Sequence, residues 1–115
     1  MKVIIAGGRS YTLTDDGREK LDQIDISEVV SSGDPGADRC GCLYAQMHGI
    51  PVARFYADWQ KFGRAAGPIR NRQMAEYADA VALFNGGSGT KSMFLEANKA
   101  GIKIFDFRDS SKDGV

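Results

Sequence analysis

The chain has 115 residues, of which 43% are hydrophobic and 26% charged, a balance that is typical of an ordinary folded protein and unlike that of a disordered chain. Its 15 basic and 15 acidic residues give a formal charge of +0, which excludes a broad cationic surface for nucleic acid. No apolar run reaches the length of a membrane span, and the apolar stretch of the first predicted strand begins at residue 3, so we expect no signal peptide.

Short apolar runs recur along the chain and are separated by segments with helical signals. The runs predict buried strands at about 2–6, 27–31, 51–56, 79–84 and 102–106. The intervening segments predict helices at about 14–23, 35–48, 67–77 and 90–100. Only the segment 57–66 follows a strand without a firm assignment, and loops of that kind often hold ligands.

This alternation predicts a single α/β domain over residues 1–107, followed by a polar C-terminal tail at 108–115. We expect a Rossmann-like, open, parallel five-stranded sheet with the order 3-2-1-4-5 and helices on both faces. In such a sheet, ligands bind where the loops of strands 1 and 4 leave in opposite directions.

The two cysteines, Cys40 and Cys42, lie two residues apart on the second predicted helix. Their side chains then point in different directions, so we expect no disulfide. With His48 as the single histidine, they form a poor metal set, and we expect no metal site. Unpaired cysteines favour a reducing compartment, so a cytoplasmic location is expected.

Two glycine-rich loops follow strands 1 and 4. The first is Gly7-Gly8-Arg9, in which bare amides and a guanidinium could hold an anion, or in which the glycines only form a tight turn. The second contains Gly86, Gly87, Ser88, Gly89 and Thr90 and opens the last helix, where amides and the helix dipole suit a phosphate. Thr90 could alternatively be no more than the N-cap of that helix.

Other candidate binding residues lie near the remaining strand ends. Gly36, Ala37 and Asp38 open the second helix, where Asp38 could bond a ribose hydroxyl or only favour the helix terminus. Arg70, followed by Asn71, shares a packed helix face with Met74, so its guanidinium needs a protein carboxylate or a ligand phosphate as partner.

In their order along the chain, these motifs resemble the SLOG superfamily, and within it a small branch of YspA-like, YpsA-related proteins also described as a domain of unknown function. The resemblance spans about residues 3–105. The residues that carry it are Ala6-Gly7-Gly8-Arg9, Gly36-Ala37-Asp38, Trp59, Ala66-Gly67-Pro68-Ile69-Arg70-Asn71, Met74, Ala78-Asp79 and Gly86-Gly87-Ser88-Gly89-Thr90. It implies a Rossmann-like fold and a nucleotide-type ligand.

The superfamily also includes the LOG phosphoribohydrolases, which are similar to proteins known as lysine decarboxylases and resemble this chain more distantly. Their arginine matches Arg70, and most of their Gly-Gly-x-Gly-Thr-x-x-Glu loop matches 86–90, but the glutamate position is Met93. A thioether cannot stabilise a developing oxocarbenium ion, which speaks against this activity and leaves open whether the chain is an enzyme. Asp38 or Glu96 would have to replace the missing acid.

We therefore expect the chain to sense or sequester a small nucleotide or an ADP-ribose-like ligand, with no required cofactor and no membrane partner. Phosphates would bind 86–90, Arg9 and Arg70, and Trp59 would stack on the base. The alternatives are a nucleotide-processing enzyme with a non-standard acid and a nucleic-acid-processing accessory protein. LOG proteins, which this chain resembles distantly, form dimers, so a homo-oligomer is also left open.

Overall fold

The computed structural model describes residues 1–8, 11–32 and 37–108, with residues 37 and 38 described by their backbone only. In these ranges the strands are β1 (Lys2–Ala6), β2 (Glu28–Ser31), β3 (Val52–Arg54), β4 (Ala80–Leu83) and β5 (Lys103–Asp106). The helices are α1 (Asp15–Asp22), α2 (Ala37–His48), α3 (Trp59–Phe62), α4 (Ala66–Tyr77) and α5 (Ser88–Ala100), and a 3₁₀ turn covers Gly63–Ala65.

All five strands form one parallel sheet in the order β3-β2-β1-β4-β5, which confirms the predicted fold and strand order. At its centre, Ile4 of β1 lies opposite Val30 of β2 and Val81 of β4. The chain winds outward through β2 and β3 and then returns to place β4 on the other side of β1. The loops that leave β1 and β4 therefore diverge at the centre of the sheet.

The core has two layers because successive side chains of a strand point to opposite faces of the sheet. Val3 and Ile5 of β1 pack with Leu21 of α1 and Tyr44 of α2. Ile4, together with Val30 and Val81 opposite it, packs on the other face with Met74 of α4 and Met93 of α5. The near-continuous apolar runs of the sequence thus reflect strands that are covered on both sides.

The segment 57–66, for which the sequence predicts no regular element, contains α3 and the 3₁₀ turn and leads directly into α4. Asp58 caps α3, since its Oδ1 accepts a hydrogen bond from the backbone N of Lys61 at 3.1 Å. A helix of one turn gives too short a periodic pattern to be recognised from sequence. Trp59 is the first residue of this helical turn and does not lie in an irregular loop.

Two further features bear on the expectations from composition. Cys40 and Cys42 are free thiols, and Cys40 is buried with its sulfur 3.2 Å from the backbone N of Leu13. Within the described ranges, no helix combines the length and apolar character that crossing a membrane requires.

Candidate functional site

A cavity of about 670 Å³ opens at the carboxyl edge of the sheet, on the side covered by α4 and α5. Its lining comes from the ends of β1 and β2, from α3, from α4 and from the first turns of α5. We call this cavity the crevice. It lies where the loops after β1 and β4 diverge, which is the position that the predicted topology assigns to a ligand.

The loops after β1 and β4 are in direct backbone contact at the crevice. The backbone N of Gly8 donates a hydrogen bond to the carbonyl oxygen of Asn85 at 2.9 Å. A Cβ on Gly8 would lie 2.9 Å from the Cα of Gly86, and a Cβ on Gly86 would lie 2.5 Å from the backbone N of Gly8. Both positions therefore require glycine, and the predicted pairing of these two loops is confirmed.

Helix α5 starts at the crevice without a side-chain cap. Its N-cap is Gly87, and the helix begins at Ser88, so the alternative in which Thr90 is no more than the N-cap is wrong. The contact between Gly8 and Gly86 lets the chain enter the helix two residues earlier than the sequence indicated. Because glycine has no side chain, no side-chain oxygen of the N-cap residue accepts from the first-turn amides of α5.

Thr90 lies instead inside the first turn of α5 and is 4% exposed. Among the described residues, its Oγ1 is a buried side-chain oxygen without a hydrogen-bond partner. It occupies the space beside Gly86 where a side chain would otherwise stand, since a Cβ there would lie 2.2 Å from it. Leaving a buried hydroxyl without a hydrogen bond lowers the stability of the fold by about 1–3 kcal/mol. A ligand that forms a hydrogen bond with Thr90 Oγ1 would recover this free energy.

Arg70 of α4 reaches the crevice from the opposite wall and is 6% exposed, as its predicted packed position requires. Its Nε donates to Oδ1 of Asn71 at 3.0 Å, and its Nη1 donates to the carbonyl oxygen of Ser32 at 3.4 Å. Asn71 in turn donates from Nδ2 to Oγ of Ser92 at 3.2 Å. This network joins the end of β2 to α4 and α5 and holds the guanidinium in place.

The indole of Trp59 stands at the outer wall of the crevice with 56% of its surface exposed. It packs over the start of α4, where a Cβ on Gly67 would lie 3.4 Å from its Cη2. The inner wall is apolar and includes Met74 and Met93, both almost fully buried. The crevice thus combines an aromatic ring at its mouth with amides, hydroxyls and a guanidinium deeper inside.

Several predicted site residues lie outside the described part of the chain or away from the crevice. Arg9 and Gly36 lie outside the described residues, as do the side chains of Ala37 and Asp38. Glu96, the other acid considered for catalysis, does not line the crevice. In contrast, Ser32 and Ser92 line it although no sequence motif singled them out; Ser32 follows β2 directly, and that position was the available signal.

A second cavity of about 440 Å³ lies on the outer side of α4 and α5, and we call it the groove. Its charged residues pair along their own helices. Arg72 Nε lies 4.0 Å from Glu76 Oε1, and Lys99 Nζ lies 3.8 Å from Glu96 Oε2. Such pairs between partly exposed side chains contribute little to stability.

Comparisons with known proteins give the relatives of this chain. Residues 1–62, from β1 through α3, match the model of the YspA, cpYpsA-related SLOG family (YAcAr). The Gene 61 protein of Mycobacterium phage D29 is similar, with 36% identity over 89 residues that cover 70% of this chain and 71% of the phage protein. The chain therefore belongs to the YspA, cpYpsA-related SLOG family.

Proposed function

We propose that this protein binds a small nucleotide or a nucleotide-derived ligand in the crevice, as a sensor or a sequestering module. The observation that carries the proposal is the hydroxyl of Thr90, which has no partner among the described residues and is buried in the first turn of α5 at the edge of a cavity that Arg70 also lines. Membership in the SLOG family supports a nucleotide-related ligand.

The phosphate of the ligand would bind between α5 and Arg70. A helix amino terminus carries roughly half a positive charge and presents unpaired amides, so the uncapped start of α5 at Gly87 suits an anion. The buried guanidinium of Arg70 adds charge-assisted donors from the facing wall. Thr90 would donate its hydroxyl to the same phosphate after a small shift of the loop.

The base would stack on Trp59. Its indole lines the mouth of the crevice, and its half-exposed surface is available to a planar ring. The apolar wall formed by Met74 and Met93 suits the less polar faces of a nucleoside. Asp38 remains the candidate for the ribose hydroxyls, because acidic residues bond them in dinucleotide-binding folds.

The position of Met93 favours binding over hydrolysis. Met93 lines the crevice where LOG-type enzymes would carry a glutamate, and Glu96 faces the groove instead. A thioether can contribute packing but no proton transfer. A nucleotide that enters the crevice should therefore remain intact.

Identification of small molecules released from the denatured purified protein, by mass spectrometry, tests the proposal most openly. Calorimetric titration with nucleoside mono- and diphosphates, cyclic nucleotides and ADP-ribose should then give saturable binding to at least one compound. Chromatography of the same mixtures after incubation should show no released base. Absence of binding across this panel contradicts the proposal, and base release that disappears in Arg70→Ala would make the protein an enzyme.

A further inference from the structure

We infer that the ligand carries a second aromatic base, which stacks on an exposed aromatic surface next to the crevice. This inference rests on the proposed function, because it extends the same site outward. The surface consists of Tyr56, Trp59 and Phe62, and we call it the aromatic segment.

The aromatic segment concentrates exposed rings in one place. Of the eight large hydrophobic side chains that are exposed in the described part of the chain, three lie within these seven residues. Tyr56 is 69% exposed, Trp59 56% and Phe62 39%. Rings left in water beside a cavity mark a surface that a planar partner can cover.

Local structure places Trp59 at the crevice and Phe62 beside it on the same helical turn. The cap from Asp58 closes the single turn of α3, and Trp59 and Phe62 then share one face at a spacing of i, i+3. Trp59 lines the crevice and stands over Gly67 at the start of α4. Phe62 therefore extends the aromatic surface outward from Trp59, and Tyr56 lies three residues before α3 begins.

Charge at the aromatic segment favours a phosphate linker between two bases. Lys61 Nζ lies 5.1 Å from the centroid of the Phe62 ring, and Arg64 follows as an exposed residue of the 3₁₀ turn. These two cations outweigh the one carboxylate of the segment, Asp58. A base stacked on the face of Phe62 that Lys61 leaves open would bring its linking phosphate within reach of Lys61.

The charge of the chain argues against a ligand much longer than two bases. The crevice, at about 670 Å³, falls within the range of about 300–1,000 Å³ that is usual for small-molecule sites, and the second base would lie outside it on the aromatic segment. The formal charge of +0 provides no basic path along which a longer strand could continue. A dinucleotide-type ligand fits both observations.

The test compares three probes by calorimetry: adenosine 5′-monophosphate, its 5′-phosphorylated dinucleotide, and an eight-nucleotide single strand of the same base. We expect the dinucleotide to bind at least about tenfold more tightly than the monophosphate, since one stacked base contributes that much. The double variant Tyr56→Ala/Phe62→Ala should abolish this gain and leave the affinity for the monophosphate unchanged. Leu95→Ala, which removes a similarly exposed side chain from α5, is the matched control and should change neither affinity.

The outcomes separate this inference from the proposed function. Equal affinities for the monophosphate and the dinucleotide, or a gain that survives in the double variant, would overturn the second base and leave the proposed function intact. No binding of any of the three probes would count against both. An affinity that continues to rise from the dinucleotide to the eight-nucleotide strand would overturn the two-base limit in favour of single-stranded nucleic acid.

Discussion

The crevice and the groove are built from the same two helices, yet they differ in how their polar groups are satisfied. In the groove, exposed charges pair with neighbours one turn away on the same helix, as Arg72 does with Glu76. In the crevice, the polar groups converge from β2, α4 and α5, and the hydroxyl of Thr90 has no partner in the described residues. Charged side chains alone therefore do not mark a ligand site. Polar groups that converge from separate elements, with a hydrogen bond still to be made, do.

The largest effect is expected where the two loops of the crevice touch. Gly86→Ala should lower the free energy of unfolding by about 1–3 kcal/mol, because the new methyl group would collide with Thr90 Oγ1 and the backbone of Gly8. Chemical denaturation monitored by circular dichroism measures the change.

The matched control is Gly89→Ala in the first turn of α5, because a Cβ at Gly89 meets nothing within 4 Å. It should unfold at the same denaturant concentration as the wild type or a slightly higher one, since alanine favours a helix more than glycine does. Equal stability of the two variants would mean that the loops after β1 and β4 are not packed as described.

A smaller effect of opposite sign is expected at Thr90. Thr90→Val removes the unsatisfied hydroxyl at nearly constant shape, so the free energy of unfolding should rise by about 1 kcal/mol. The same variant should bind the ligand about tenfold more weakly, since it loses one hydrogen bond to a charged group. Denaturation and calorimetry together measure this opposition between stability and binding.

Thr90→Ser keeps the hydroxyl and should retain most of the affinity. Loss of stability in Thr90→Val together with unchanged binding would show that the hydroxyl serves the fold and not the ligand.

The smallest effect is expected in the groove. Lys99→Met breaks an ion pair in which the lysine side chain is 74% exposed, so stability should change by about 0.5 kcal/mol or less. Nucleotide affinity should stay the same, because Lys99 does not line the crevice. A loss of affinity in this variant would move the site to the groove and reverse the comparison.

Hydrophobic patterning was sufficient to predict the fold. Parallel strands that are buried on both faces have continuous apolar runs, and β1 and β4 stood out for that reason with ends correct to about one residue. The strand order followed from the rule that ligand loops diverge at the centre of such sheets, and the contact of Gly8 with Gly86 confirms it.

The site was predicted less completely, because its details depend on tertiary contacts. Sequence spacing placed Arg70 on a packed face, but its bond to the carbonyl oxygen of Ser32 joins residues 38 positions apart. The true start of α5 at Ser88 depends on the approach of two glycine backbones that belong to different loops. The short helix α3 also escaped detection, and with it the exposed position of Phe62.

The comparison of Arg70 with Arg72 tests the central claim most directly. Calorimetric titration of adenosine mono- and diphosphate should show binding to the wild type and to Arg72→Met, whose side chain belongs to the groove. Arg70→Met should bind about 10- to 100-fold more weakly, because a charge-assisted hydrogen bond to phosphate is lost, while its melting curve verifies that it is folded. Equal affinities for the two variants, or nucleotide binding that depends on Arg72, would contradict the assignment of the crevice as the ligand site.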